Sequence, residues 1–223
     1  MAKDLAIVLN NGSVSSAVAT SIAAQKYRPI MVYGDINPHD TPLRRKAAYD
    51  LQVAHFKPFR EHALAMPFLG NLEGAAPMSA AVQAADPRVA PSVTPLLVDL
   101  LPHVGVAARF AIHYSASAVY LGLRVGGHAD ELAQATEFVQ VWQELLQMTC
   151  GQPDLEIQTP LLELEAWQVV DAGSNVSAPF ERTWSCAEEG PEPCWNCRAC
   201  RAREAAFQQA AKPDPLRSPV GRR

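Results

Sequence analysis

The chain has 223 residues, enough for one large domain or a domain with a small appendage. With 48% hydrophobic and 19% charged residues it can bury a sizeable core, and its net charge of -4 leaves no electrostatic footprint for direct nucleic-acid binding. The start lacks a basic segment followed by a long apolar run, and no window reads as apolar enough for a membrane span, so the expectation is a soluble cytoplasmic protein with no membrane contact.

Leu5 to Leu9 (LAIVL) is a short apolar run that ends at a polar, glycine-containing turn, the pattern of a buried strand in a parallel sheet. An alanine-rich stretch follows and reads as a helix with Ser15 or Ser16 as its N-cap. Strand, small-residue turn and helix start together make a setting in which backbone N–H groups receive a phosphate. Leu9, Asn10, Asn11, Gly12, Ser13, Val14, Ser15 and Ser16 are therefore the candidate nucleotide-phosphate residues. Any strand-to-helix junction of an α/β protein shares this pattern, so the turn alone does not assign a ligand.

Ile30 to Tyr33 reads as the second strand, and the loop from Gly34 to Asp40 should face the first turn across the crevice at the carboxyl ends of the strands. Pro42 to Phe56 fits a helix with Leu43, Ala47, Leu51 and Ala54 on its inner face and Arg44, Arg45 and Lys46 in solvent. From Lys57 to Val89 the pattern is poor, and its proline-rich, small-residue part reads as a lid or crossover loop. Thr94–Leu101 and Val106–Tyr114 read as two helices split by Pro102. Ala118 to Leu123 is a further strand, and its exit, RVGGHADE, is a third crevice loop. A helix from near Asp130 to Met148, a strand over Leu155–Thr159, a short helix over Glu163–Ala172 with Gly173 just past its end, and a last helix over Arg201–Ala211 complete the order. Residues 1–211 thus read as a single doubly wound α/β domain with about five mostly parallel strands, and 212–223 as a disordered tail.

Four of the five cysteines, Cys186, Cys194, Cys197 and Cys200, are spaced C-x7-C-x2-C-x2-C. Two overlapping C-x2-C steps aim three thiolates at one centre and the long arm brings the fourth, as a tetrahedral four-cysteine zinc site requires. Four protein ligands leave no open position, so the zinc should be structural. Arg198, Arg201 and Arg203 lie close by and favour thiolates. Two disulfides are the competing reading, disfavoured in a reducing compartment. Cys150 reads as a small buried residue, and His39, His113 and His128 as surface or core histidines, none being at metal-ligand spacing.

At this point the residues resemble a family, the 7-cyano-7-deazaguanine synthases of the N-type ATP pyrophosphatase (PP-loop) superfamily. The likeness is densest in TPLLELEAWQVVDAG, then TWSC, PCWNCRAC, Arg203, Ala206-Phe207 and Asp214-Pro215, which follow the family's order. Tyr33-Gly34, VYLGL and Thr136–Phe138 agree more loosely. The resemblance implies an adenine nucleotide alpha hydrolase-like fold, a deazaguanine substrate, ATP with Mg2+ at the first turn, a place in the queuosine pathway, and a homodimer. It implies a ligase that activates 7-carboxy-7-deazaguanine with ATP and converts it, with ammonia, to the nitrile.

The departures are as specific. The family's Ser-Gly-Gly-x-Asp-Ser loop stands here as Asn11-Gly12-Ser13-Val14-Ser15-Ser16, with Ser13 for a glycine and Ser15 for the acidic residue. The Pro-x-Arg-Asn segment survives only as VAPSV, Val89 to Val93, and the substrate loop keeps Asp130 without its Tyr-Pro-Asp-Cys pattern. Trp195 replaces the usual glycine between the cysteines. Three readings stay open: a synthase-like enzyme with altered or lost activity, a diverged ligase for another carboxylate and amine, and a non-catalytic, zinc-stabilised partner-binding subunit. No catalytic residue is assigned.

Overall fold

The computed structural model describes residues 4–35, 43–66, 69, 93–127, 129–188 and 190–217. Five strands among them, β1 (Leu5–Leu9), β2 (Arg28–Asp35), β3 (Arg60–Ala65), β4 (Ala118–Leu121) and β5 (Glu156–Gln158), form one sheet in the order β3-β2-β1-β4-β5. Every pairing is parallel. Leu9 lies opposite Val32 on one side and Leu121 on the other, so the chain leaves β1 at the point where the strand order reverses. In open α/β sheets that switch point is where the crevice opens.

The helices are α1 (Val14–Lys26), α2 (Leu43–Phe56), α3 (Thr94–Tyr114), α4 (Ala129–Cys150), α5 (Ala166–Asn175) and α6 (Arg198–Gln209), with a 3-10 turn at Phe180–Arg182. Alternation along β1 sorts the two layers. Ile7 joins Ile30, Val32, Val119 and Leu121 under α3 and α4, through Val104, Ala107, Ala111, Ala135 and Leu146. Ala6 and Val8 face the other way, against Ala23 of α1 and Tyr27 at its C-cap. Beyond α1, Val18 and Ala19 pack on Val169 and Val170 of α5 and on Ala206 and Phe207 of α6. Ala6, Ile7 and Val8 are all fully buried, which explains the uninterrupted apolar run.

Several expectations are corrected. Thr94–Tyr114 is one helix with Pro102 inside it, not two pieces. A proline there costs roughly 3 kcal/mol, whereas burying Leu97 and Val104 contributes about 1.5–3 kcal/mol each, so a continuous helix is favoured. By length and composition its Leu96–Tyr114 stretch is a candidate membrane span, against the expectation that no window qualifies. Leu97, Val104, Ala107, Ala108 and Ala111 on this helix nevertheless pack into the sheet's core cluster.

β3 lies in a stretch without strand signal, because it is an edge strand whose charged start, Arg60 and Glu61, faces solvent. The buried face of α2 is Ala48, Tyr49 and Gln52, whereas Leu51 is 52% exposed. The N-cap of α1 is Ser13, whose side chain accepts from Ser16 N–H, not Ser15 or Ser16. Gly173 sits within α5, where an added Cβ would lie 2.6 Å from both Phe180 and Val18, so close helix packing and not helix termination accounts for it. The poorly patterned residues 67–92, apart from Leu69, and the VAPSV residues 89–92 lie outside the described residues, as do His39 and His128.

Candidate functional site

The turn after β1 is built around Asn10, which is 2% exposed. Its Nδ2 donates to Thr20 Oγ1 at 2.9 Å and to Gln52 Oε1 at 2.8 Å, and its Oδ1 accepts from Gly12 N–H at 2.8 Å. Gln52 in turn donates from Nε2 to the Arg182 carbonyl at 2.9 Å. A buried amide with all its groups engaged fixes the loop to α1, to α2 and to the segment leading into the cysteines.

Gly12 has φ +78, a left-handed conformation that favours glycine. A Cβ there would lie 2.4 Å from the Arg45 carbonyl and 3.2 Å from Ala48 Cβ. The missing side chain therefore makes room for α2. The next donors are satisfied locally: Ser13 N–H by Asn11 Oδ1 at 3.2 Å, and Ser16 N–H by Ser13 Oγ at 3.2 Å. The Ser16 hydroxyl lies within reach of Asn10 Oδ1, Asn11 Oδ1 and the Ser13 carbonyl. Ser13 has φ -80, which any residue adopts, so replacement of a glycine brings no backbone strain here. The first turn of α1 carries no acidic residue, so no side chain neutralises its positive end.

The loop after β4 abuts this turn. A Cβ on Gly122 would lie 3.0 Å from Ser16 N, so glycine lets the two backbones meet. Beyond it, Val125 and Gly126 donate to the Leu162 carbonyl, and Gly127 N–H donates to Glu165 Oε1 at 2.9 Å. Glu165 thus caps α5 and holds the third crevice loop with one carboxylate. Asp130 is exposed in the first turn of α4. Most of the loop after β2 lies outside the described residues. At its start, Tyr33 is buried, and burial followed by the nearby charge of Asp35 pushes its hydroxyl up to about 12.

Cys186, Cys194, Cys197 and Cys200 are brought together, with their Sγ atoms all within 4.8 Å of one another. All five cysteines are free in this structure, and the gathering of four around one centre fits a single bound ion better than two separate disulfides. Backbone N–H groups of Glu188 and Cys194 point at Cys186 Sγ, that of Cys197 at Cys194 Sγ, and that of Cys200 at Cys197 Sγ. Donors from Ala187 and Cys200 lower the Cys197 thiol to about 6, and donors from Asn196 and Cys197 lower Cys194. Burial pushes Cys200 up to about 12. One ion at the centre can bind all four. Trp184, two residues before Cys186, donates its backbone N–H to the Gly12 carbonyl at 2.9 Å, so the cysteine turn is joined to the carboxyl end of β1.

Each residue of the expected turn, Leu9 to Ser16, therefore lies at the switch point, but the side chains of Asn10, Asn11 and Ser13 occupy three of its donors. Sequence reading missed Gln52 and Thr20, which tie Asn10 down. A glutamine on a helix face gives no sign of burial until its partner is placed. It also put Arg45 in solvent, whereas its Nε is buried with no hydrogen-bond partner among the described residues. Trp184 Nε1 is likewise buried and unpartnered among them.

A family model described as queuosine biosynthesis protein QueC matches residues 5–211. The chain is 24% identical over 219 residues to the 7-cyano-7-deazaguanine synthase of Oceanobacillus iheyensis, with 95% of this chain and 97% of that protein covered. It is 31% identical over 118 residues to the 7-cyano-7-deazaguanine synthase of Thermosynechococcus vestitus, where the match spans 51% of this chain and 50%, about half, of the relative's length. Among solved structures, the U34-tRNA thiolase NcsA from Methanococcus maripaludis with its 4Fe-4S cluster aligns at a TM-score of 0.51 and 10% identity, over 94% of this chain and 68% of that one. That likeness is one of fold alone.

Proposed function

The chain belongs to the QueC family of queuosine biosynthesis proteins, and from that membership we propose that it is a 7-cyano-7-deazaguanine synthase-like carbon–nitrogen ligase that binds ATP and Mg2+ at the turn Leu9–Ser16. The observation that carries the reading is the position of this turn. It lies at the switch point of the sheet, runs into the N-terminus of α1, and is joined to the cysteine turn by the hydrogen bond from the Trp184 backbone N–H to the Gly12 carbonyl.

In this reading ATP transfers its adenylyl group to the carboxylate of 7-carboxy-7-deazaguanine, and pyrophosphate leaves. Ammonia attacks the acyl carbon, AMP leaves, and the amide forms. A second ATP activates the amide oxygen with loss of pyrophosphate, and departure of AMP with a proton from nitrogen leaves the nitrile. The chain's part is to hold the α-phosphate beside the carboxylate and to stabilise charge on the departing pyrophosphate. The positive end of α1 suits the second task, and the unpaired Nε of Arg45 is a donor of the kind a phosphate satisfies. A nucleotide must displace Asn11 Oδ1 and Ser13 Oγ from the loop's own N–H groups, so binding is weaker than an open loop would give. That self-engagement favours a second reading, a non-catalytic subunit that keeps the fold and the metal site.

The metal proposed is zinc, in a structural role. A Zn–S distance of about 2.3 Å in a tetrahedron puts sulfurs about 3.8 Å apart. Cys194 and Cys200 Sγ stand 3.9 Å apart, which supports that fit. A 4Fe-4S cluster binds each thiolate to a different iron and needs a wider set. The enzyme reading is tested by incubating the protein with Mg-ATP, 7-carboxy-7-deazaguanine and ammonium, then measuring pyrophosphate and the nitrile by mass. Substrate-dependent release of both supports the ligase. Absence of both favours the non-catalytic reading.

A further inference from the structure

Arg203 lies on α6, three residues beyond Cys200, and is 6% exposed. Its Nε and Nη2 grip Asp214 at 2.6 and 2.9 Å, a two-pronged ion pair with both side chains nearly fully buried. Nη1 donates to Thr183 Oγ1 at 2.7 Å, Nη2 reaches the Phe180 carbonyl at 3.2 Å, and the guanidinium packs over Phe207. Thr183 is buried and donates its own hydroxyl to the Phe180 carbonyl. Residues 180–183 are thus held through Arg203, and Trp184, the next residue, holds Gly12.

The stretch that carries Asp214 follows α6 and was expected to be a disordered tail. Its described part, 212–217, folds back instead. Asp214 Oδ1 accepts from Leu216 N–H at 3.0 Å, which turns the chain. Arg217 then lies over the ring of Trp195 at 5.4 Å and pairs with Glu204. Trp195 stands between Cys194 and Cys197 with φ +55, where glycine would be unstrained. The segment therefore touches the cysteine turn at its root, through Arg203, and at its tip, through Trp195.

We propose that residues 214–217 form a strap that sets the geometry of the four-cysteine turn and transmits it, through Arg203, Thr183 and Trp184, to the loop at Gly12. The site at the carboxyl end of β1 is then complete only when the strap is in place. Arg203 and Asp214 are positioning residues in this scheme, and neither is assigned contact with a ligand. A buried guanidinium that loses its only carboxylate among the described residues is left uncompensated, so the pair is the most sensitive link.

The test uses the zinc-loaded chain with Asp214→Asn, which keeps the shape but not the charge, Asp214→Glu, which keeps the charge, and Arg217→Ala at an exposed position. Two readouts are taken: the rate of zinc release to a chelator, and amide hydrogen exchange. Asp214→Asn should speed zinc release about tenfold or more and raise exchange at Thr183–Cys186 and Gly12–Ser16, while α4 at the far side of the sheet stays as in wild type. Asp214→Glu should recover part of both effects, and Arg217→Ala should speed release severalfold. Wild-type exchange at Gly12–Ser16 in Asp214→Asn overturns the proposal, and so does a rise spread equally through α4. If Asp214→Asn fails to fold, Arg217→Ala decides: severalfold faster zinc release supports the strap, and a wild-type release rate overturns it. Exchange needs no ATP turnover, so the strap and the ligase reading fail separately.

Discussion

Asn10 and Gln52, 42 residues apart, share a hydrogen bond of 2.8 Å between Nδ2 and Oε1 in a site that solvent does not reach. Through it the turn after β1 is held by α2, and through the other end of Gln52 by Arg182. A buried amide pair of this kind contributes little if complete and costs much if halved. Gln52→Ala should therefore lower stability by about 2 kcal/mol, since the Asn10 amide and the Arg182 carbonyl lose a partner at once. Urea denaturation followed by far-ultraviolet circular dichroism measures this, and an unchanged midpoint would count against the network.

Gly12 and Gly105 should respond oppositely to alanine. At Gly12 the new Cβ meets the Arg45 carbonyl at 2.4 Å from a left-handed backbone, so Gly12→Ala should destabilise by about 2 kcal/mol or more. At Gly105, within α3, nothing lies within 4 Å, and Gly105→Ala should stabilise by about 0.5–1 kcal/mol. Thermal melts of the two variants check the sign of each. Because the Cβ at Gly12 points at α2, a larger residue there disrupts packing, and loss of ligand binding in such a variant does not locate the ligand.

The freshly purified, reduced chain should carry one zinc, and Cys194→Ser should lose it. The affinity should fall as pH falls, because the bound form needs thiolates. Cys197, lowered to about 6, is already mostly ionised at neutral pH, whereas Cys200, raised to about 12, must give up a proton to the solvent when metal binds. At least one proton is released per ion, so the affinity should drop by about tenfold or more per pH unit between 8 and 6. Competition with a chromophoric chelator at three pH values measures the slope, and a flat profile would exclude thiolate ligation of this kind.

What could be read in advance follows from where the information is stored. β1 was legible because Ala6, Ile7 and Val8 are buried on both faces, so every residue of the run is apolar. The cysteine site was legible because its four ligands lie within fifteen residues and their spacing alone sets the geometry. β3 was not, since Arg60, Glu61 and His62 gain their strand conformation from pairing with β2 and not from an apolar pattern of their own. The phase of α2 was misread because its buried face carries Gln52, whose partner is 42 residues away. The engagement of the loop by Asn11 and Ser13 side chains depends on rotamers and on α2 packed behind Gly12, neither of which is written in local sequence.

In the proposed reading the turn Leu9–Ser16 holds nucleotide phosphates, and its donors are partly taken by its own side chains. Ser13→Gly frees Ser16 N–H at a cost of only a few tenths of a kcal/mol in helix capping, and Ser15→Asp returns the carboxylate that the family pattern carries, which would favour the Mg2+ of the nucleotide by more than it repels the phosphates. Isothermal titration with Mg-ATP, wild type against the Ser13→Gly/Ser15→Asp variant, measures the consequence. Wild type should bind weakly and the variant about 10- to 150-fold more tightly, the equivalent of one hydrogen bond to a charged group. If neither protein binds Mg-ATP while both remain folded and zinc-loaded, the turn is not a nucleotide site, and the non-catalytic reading replaces the ligase.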